Sequence, residues 1–411
     1  REDRETYWGL SVAFESRLLD FVSETLIVER PLRLAGSRRI DQLVEIVDGE
    51  LFRLHLARDS WQGGIFPTGT AFLGDLTSLL KAEVPALADR PLAFLVDDFS
   101  VHRIPAPVQT VLNQIIWERR QSHVFKLSSE KHGAVLNDAL LASAELSRER
   151  LEIDCGKEFL ALDDHKQQKL ALDFSRELLD NRLAVAKYDG RSGSVIGKSD
   201  WGQHTSLAKA LQDTSKPKND QYHGMECIAQ LCSGDVSSLL MVYRAIFEAG
   251  RVTRATEVVV PSHIQHQAIV KVSRNLLDVV RTYYPHGPKL FEIVNAFGTL
   301  ARNILVEGRL QSSGSPTMVP RIEIDQGGQH AVDELDDHTQ EVAWELVRRA
   351  LFIEMESGLS RKGRVTTLRW QVRRVFLPAF NAALSKNDAV KRKVNWLRLF
   401  LDSPETATAD A

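Results

Sequence analysis

Apolar positions in the first third of the chain change period in an informative order. Val12, Leu18, Leu19, Phe21, Val22 and Leu26 recur at helical spacing and predict an amphipathic helix that stops before Pro31. Weak alternation predicts a strand over Leu51–Ala57, and a second apolar-periodic helix is expected near Thr70–Lys81. The run Pro91-Leu92-Ala93-Phe94-Leu95-Val96 is continuously apolar and closes on Asp97-Asp98. That pattern predicts a buried central strand of a parallel sheet with two carboxylates at its C-terminal end, the edge where open α/β sheets bind ligands. After Pro107, the positions Val108, Val111, Leu112, Ile115 and Ile116 predict a helix, and His123–Leu127 predicts a second strand ending in Ser128-Ser129-Glu130. Strand, helix and strand within about 40 residues form a parallel crossover unit. A helix over Ala134–Arg148 then leads to a third strand at Leu151–Asp154.

From Phe159 onward the pattern is helical. Leu170, Phe174 and Leu178 share a stripe, and the stretch Asp189–Asp200 reads as a Gly/Ser/Lys-rich loop. A helix over Met225–Leu231 ends at Ser233-Gly234-Asp235, where Ser or Asp can cap the next helix, Val236–Ala249. A domain boundary is expected near Val252–Pro261, followed by long helices at Ile264–Tyr283 and Lys289–Val306. A short strand at Arg321–Ile324, a helix over Val332–Glu356 and a β-prone run at Val365–Phe376 come next. The tail from Ser403 to Ala411 reads as disordered.

Composition narrows the class. A chain of 411 residues with 43% hydrophobic and 26% charged residues holds two or three domains with ordinary cores. No run of about 18 apolar residues predicts a membrane span, and the mixed charges of the first five residues do not resemble a secretory signal. Cys155, Cys227 and Cys232 lack the spacing of a disulfide framework or a zinc site, so a reducing cytoplasm is expected. The charge is uneven. Between Gly358 and Arg398 eleven basic residues face a single acid, Asp388, so this stretch carries about +10 in a chain whose net charge is −3. Phosphate is the commonest partner of so one-sided a cluster.

The chemistry concentrates at the strand ends. Adjacent aspartates closing an apolar strand suit a Walker B segment, in which one carboxylate holds Mg²⁺ and the other orients water. Such a site also needs Gly-x-x-x-x-Gly-Lys-[Ser/Thr], whose backbone N–H groups wrap phosphates. The string Gly193-Ser194-Val195-Ile196-Gly197-Lys198-Ser199 is a decoy: its glycines are one residue too close, and it follows the acids instead of preceding them. A phosphate loop is expected upstream of Arg1 or not at all. His263 and His266 lack a third metal ligand, Asp333, Glu334, Asp336 and Asp337 suit an acidic helix start, and Trp344, Trp370 and Trp396 read as core.

Phe94–Asp98, Phe125–Glu130, Tyr222-His223-Gly224, Cys232-Ser233-Gly234-Asp235 and Phe376-Leu377-Pro378-Ala379-Phe380 together resemble the bacterial AAA+ ATPases of the origin-recognition-complex initiator type, over nearly the whole chain from Trp8 to Leu401. The resemblance implies an α/β fold: a parallel-sheet AAA+ nucleotide-binding core over 1–157, a helical lid over 158–255 and a winged-helix domain over 256–402. It implies ATP and Mg²⁺ as cofactors, Asp97 and Asp98 as the Walker B pair, and Ser128 or Ser129 at the sensor 1 position. Arg148 or Arg150 would act as an arginine finger on a neighbouring subunit of a homo-oligomer. Initiators often carry Asp-Glu where this chain has Asp97-Asp98. The lid helix has Ser237 and Ser238 where a sensor 2 arginine is expected, the nearest being Arg244.

The C-terminal pattern fits a helix followed by a wing, with Arg361, Lys362 and Arg364 at its tip and Arg369, Arg373 and Arg374 along its strands, contacting DNA phosphates. The expected function is an ATP-dependent conformational or assembly switch that engages DNA or a protein partner. The alternatives are a nucleotide-independent DNA-binding or scaffolding protein with a degenerate core, and a signalling ATPase of bacterial immunity that holds a protein effector.

Overall fold

A computed structural model describes residues 71–83, 85–117, 122–135, 151, 153, 165–200, 204–215, 219–233, 235–253, 259–308, 314–325, 331–355, 366–385 and 387–409. The helix expected over 12–26, the strand at 51–57, all but the first two residues of the helix expected over 134–148, Cys155, Arg150, Arg361, Lys362 and Arg364 lie outside the described residues, Arg148 with that helix. The chain divides into two compact units, Arg1–Leu151 and Glu152–Ala411.

In the first unit, helix α1 (Ala71–Glu83) precedes strand β1 (Leu92–Val96), helix α2 (Ala106–Ile116) and strand β2 (His123–Leu127). β1 and β2 are parallel, in register from Leu92↔His123 to Val96↔Leu127. Their side chains alternate between faces. Phe94 and Phe125 stack at 5.3 Å on one face, whereas Ala93, Leu95, Val124 and Lys126 on the other are exposed, Leu95 to 75%. The expected central strand buried on both faces is therefore corrected: an apolar run stays two-sided only where both faces are covered.

The inward stripe of α2 also differs from its apolar pattern. Val108 and Val111 are exposed, whereas Gln109 and Asn113, one turn apart, are buried. Gln109 donates to the Ile104 carbonyl at 2.9 Å and accepts from the Val135 N–H at 2.7 Å, and Asn113 donates to the Val135 carbonyl at 2.6 Å. These amides satisfy loop backbone that would otherwise be buried without partners. Leu151 and Ile153, expected in a third strand, are exposed and outside any strand.

The second unit shares one core from Leu179 to Ala407. Its helices are α3 (His165–Val185), α4 (Ser192–Ile196), α5 (His204–Gln212), α6 (Met225–Cys232), α7 (Val236–Ala249), α8 (Ser262–Val280) and α9 (Gly287–Glu307). They continue into β3 (Arg321–Asp325), α10 (Asp337–Arg348), β4 (Phe352–Met355), β5 (Thr366–Val372), a 3₁₀ turn over Arg374–Phe380, β6 (Val390–Arg392), α11 (Val394–Asp402) and α12 (Pro404–Ala409). No compact-unit boundary falls at the expected Val252–Pro261 position. On α3 the expected stripe is displaced by one residue: Leu170 and Phe174 are exposed and Ala171, Ser175 and Leu179 are buried. The expected loop over 189–200 contains α4, with Val195 and Ile196 buried.

The sheet order is β4-β5-β3-β6, with β4/β5 and β5/β3 antiparallel and β3/β6 parallel. One face, carrying Ile322, Ile324, Phe352, Leu368, Trp370 and Val372, lies in the core. Phe297 of α9 meets Phe352 edge-on at 5.4 Å, and Phe352 lies 6.0 Å from Trp370. Trp344 and Trp396 pack against the same core. The helix expected to reach Glu356 ends at Arg348, because Phe352 and Ile353 leave it to pair with Val372 and Gln371. Asp336 caps it, accepting from the Thr339 N–H at 3.1 Å and the Thr339 hydroxyl at 2.8 Å. The tail expected to be disordered is corrected as well: α12 buries Pro404 and Ala407, and the Trp396 indole donates to the Ala407 carbonyl at 3.0 Å.

Candidate functional site

Parallel pairing in register brings the ends of β1 and β2 side by side, so Asp97-Asp98 meets Ser128-Ser129. The Ser128 hydroxyl donates to Asp97 Oδ1 and accepts from the Asp98 N–H at 3.0 Å. The Asp98 N–H also lies 3.1 Å from Asp97 Oδ1. The Phe99 N–H donates to the Ser128 carbonyl at 2.8 Å, which locks the two loops together, and the Phe99 ring is fully buried beneath them. One oxygen of Asp97 is thus anchored, and Oδ2 has no hydrogen-bond partner among the described residues. Asp98 is exposed at φ 53°, in the left-handed region that Asp tolerates better than most residues. Arg103 Nε lies 3.7 Å from Asp98 Oδ2, a neighbour that the local sequence pattern did not single out.

Ser129 takes no part in this knot; its hydroxyl donates to the Glu130 carbonyl at 3.0 Å. The Val101 N–H donates to the Gly133 carbonyl at 2.8 Å, so the loops after β1 and β2 support each other beyond the acids. The donor set fits hydrated Mg²⁺: oxygen ligands only, exposed, at an open sheet edge. Mg²⁺ in phosphate sites uses one or two carboxylates plus waters and phosphate oxygens, and among the described residues no group of three or more His, Cys, Asp or Glu forms a fuller cage. No described loop supplies the phosphate-wrapping glycine pattern.

The decoy string is structural. After α4, Gly197 takes φ 74°, and its carbonyl accepts from the Met225 N–H at 3.1 Å. The Ser199 N–H donates to Glu226 at 2.8 Å. His263 and His266 do not pair into a metal site: the His266 ring accepts from the Tyr222 N–H at 3.2 Å and stacks on that tyrosine at 5.5 Å. Cys227 and Cys232 are buried free thiols. Burial pushes Cys227 up to about 12 and raises Cys232 well above its ordinary value, so neither is a thiolate near neutrality.

Between α6 and α7, Asp235 caps α7, accepting from the Ser237 and Ser238 N–H groups at 3.1 and 3.4 Å. The same carboxylate pairs with Arg373, which also donates to the Ser238 hydroxyl at 3.0 Å. Arg374 is buried, with a guanidinium nitrogen 3.5 Å from the Ser233 hydroxyl. Arg369 is mostly buried, 3.8 Å from Glu323. The expectation that Arg369, Arg373 and Arg374 line a DNA-facing strand is corrected: their charges are engaged within the second unit. Arg244, the nearest arginine to the sensor 2 position, is exposed and pairs with Glu248 at 2.7 Å. Of the basic C-terminal stretch, Lys391, Lys393 and Arg398 stand at the surface. Among the described residues no helix is long and apolar enough to cross a membrane.

No curated protein and no solved structure matches the chain significantly. A family model described as ORC-CDC6-like matches residues 204–391, a little under half the chain. The match runs from α5 to β6 and lies wholly in the second unit, outside the Asp97–Ser128 knot. The stretch that carries the Asp235 cap and the four-stranded sheet is thus similar to the ORC-CDC6-like family, which supports an ORC/CDC6-type AAA+ relationship for the chain.

Proposed function

We propose that the chain is an origin-recognition-like AAA+ protein that uses ATP with Mg²⁺ as a switch of conformation or assembly, and engages DNA through a C-terminal winged helix. The observation that carries the nucleotide reading is the knot in which Ser128 anchors Asp97 Oδ1 and the Asp98 N–H at the carboxyl edge of a parallel strand pair. In that reading Asp97 holds the hydrated metal through Oδ2, Asp98 orients water, and Ser128 keeps both acids in register. When bound, Mg²⁺ would neutralise charge on the phosphate oxygens. Arg148 and Arg150 are the proposed finger residues of a homo-oligomer. Hydrolysis of radiolabelled ATP tests the assignment. Asp98→Asn is expected to lower turnover at least 100-fold, the lower end of the range for removing a positioned acid or base. Turnover equal to wild type would refute the role of Asp98.

The winged-helix reading rests on the order α9, β3, turn, α10, β4, β5 with sheet order β4-β5-β3. The proposed DNA contacts are Arg361, Lys362 and Arg364 between β4 and β5, joined by Lys391, Lys393 and Arg398. Helix α10 opens with Asp336 and Asp337 and carries Glu341 and Glu345. So acidic a helix is poorly suited to a groove lined by phosphates, and the proposed contacts are to the backbone without base readout. The same acids favour a second reading, in which this end holds a protein partner such as an effector. Loss of affinity with rising salt separates the two, because phosphate contacts predict a steep fall.

A further inference from the structure

One face of α8 has a chemistry that neither the strand-end acids nor the basic tail uses. Its inward face buries Ala268, Ile269, Val272, Leu277 and Val280. Its outward face lines a groove of about 440 Å³, within the usual range for small-ligand sites. Lys271 and Arg274 both line this groove and are exposed. They lie three residues apart, so they sit on one helical face, and neither has an ion-pair partner among the described residues. Asn219, Gln267 and Asn275 add amides that both donate and accept, and Val270 adds an apolar patch. The single acid, Asp278, is partly countered by Arg281 at 3.9 Å. The ring of His266 closes the lining and is held by Tyr222 through the stack and the hydrogen bond already described.

We propose that this groove binds a nucleotide, with Lys271 and Arg274 gripping a phosphate and the amides meeting sugar hydroxyls or base edges. Two unpaired cations one turn apart suit a phosphate bearing one to two charges. Amides with both donor and acceptor groups suit a nucleotide better than inorganic phosphate, which offers only oxygens. The phosphate belongs either to a free nucleotide or to a nucleic-acid strand, and the site is independent of Asp97 and Asp98.

The test uses the full chain in EDTA, which suppresses magnesium-dependent binding at the β1 edge. Fluorescence anisotropy follows two probes separately, a fluorescent ADP and a fluorescein-labelled single-stranded oligonucleotide. The variant Lys271→Glu/Arg274→Glu is compared with a charge-matched control, Lys169→Glu/Lys209→Glu, whose residues are exposed on α3 and α5. All four positions are at the surface, and a circular dichroism melt verifies folding. At least tenfold weaker binding in the groove variant, with the control unchanged, is expected for one probe and identifies the source. If the oligonucleotide is the ligand, its log affinity against log salt should also become shallower by about 1.4, the share of two phosphate contacts on a single strand. The proposal is overturned if neither probe binds, if the groove variant binds as wild type, or if the control loses as much affinity as the groove variant.

Discussion

The Asp235–Arg373 contact separates an internal brace from a DNA-binding surface, and its removal has a magnitude that follows from the structure. Asp235 does two jobs: its carboxylate caps α7 through Ser237 and Ser238, and it pairs with Arg373. The side chains are only 17% and 22% exposed, so solvent screens the pair less than it would a surface ion pair. Losing the cap costs about 1 kcal/mol, and leaving the Arg373 guanidinium short of a partner costs about 1–3 kcal/mol more. Asp235→Ala is therefore expected to destabilise the second unit by about 2–4 kcal/mol. Asp235→Asn keeps a good cap and removes only the charge, so it should cost less. Urea unfolding followed by tryptophan fluorescence reads this directly, since Trp370 is fully buried in the same core. A double-mutant cycle of Asp235→Asn with Arg373→Met should give a coupling of at least about 1 kcal/mol. If Arg373→Met leaves stability within about 0.3 kcal/mol of wild type while weakening DNA binding, the brace is refuted and the arginine belongs to the nucleic-acid surface.

Three further outcomes follow. Gly224 takes φ 83°, and a Cβ there would sit 2.3 Å from the Ser199 backbone nitrogen, so Gly224→Ala should cost well over about 1 kcal/mol in urea unfolding. Because the folded Cys227 thiol is raised from 9.0 to about 12, the native state holds its proton where the unfolded chain loses it; stability is intact below pH 9 and falls as pH rises toward 12. Cys227→Ala should make that alkaline decline shallower by up to about 1.4 kcal/mol per pH unit. Lys391→Glu/Lys393→Glu, at exposed positions, should leave the melting temperature unchanged and flatten the salt dependence of duplex DNA binding by about two phosphate contacts.

What the sequence disclosed follows from how local each cause is. The β1 run with its acids, the paired β2, the Asp235 cap and the long helices α8 and α9 each rest on a period or a capping residue contained in one segment. The misread elements depend on partners elsewhere. The inward face of α2 is polar because the loop at Val135 needs the amides of Gln109 and Asn113. The end of α10 is set by the pairing of β4 with β5, and the tail orders because Trp396 offers an indole N–H to Ala407. At the candidate site, the Asp97–Ser128 relation was legible because parallel strands of equal length end together. The fate of Arg373 and Arg374 was not, because charge counting records basic residues without recording that Asp235 and Ser233 come to meet them.

The central claim is that the acids closing β1 hold a metal-bound nucleotide. Calorimetric titration of ATP with and without Mg²⁺ tests it most directly when the full chain carrying Lys271→Glu/Arg274→Glu, which silences the groove on α8, is compared with the same protein carrying Asp97→Asn as well. Binding that requires Mg²⁺ and weakens at least tenfold in Asp97→Asn is the expected result, whereas ATP binding of equal strength in both proteins, or in neither, would contradict it.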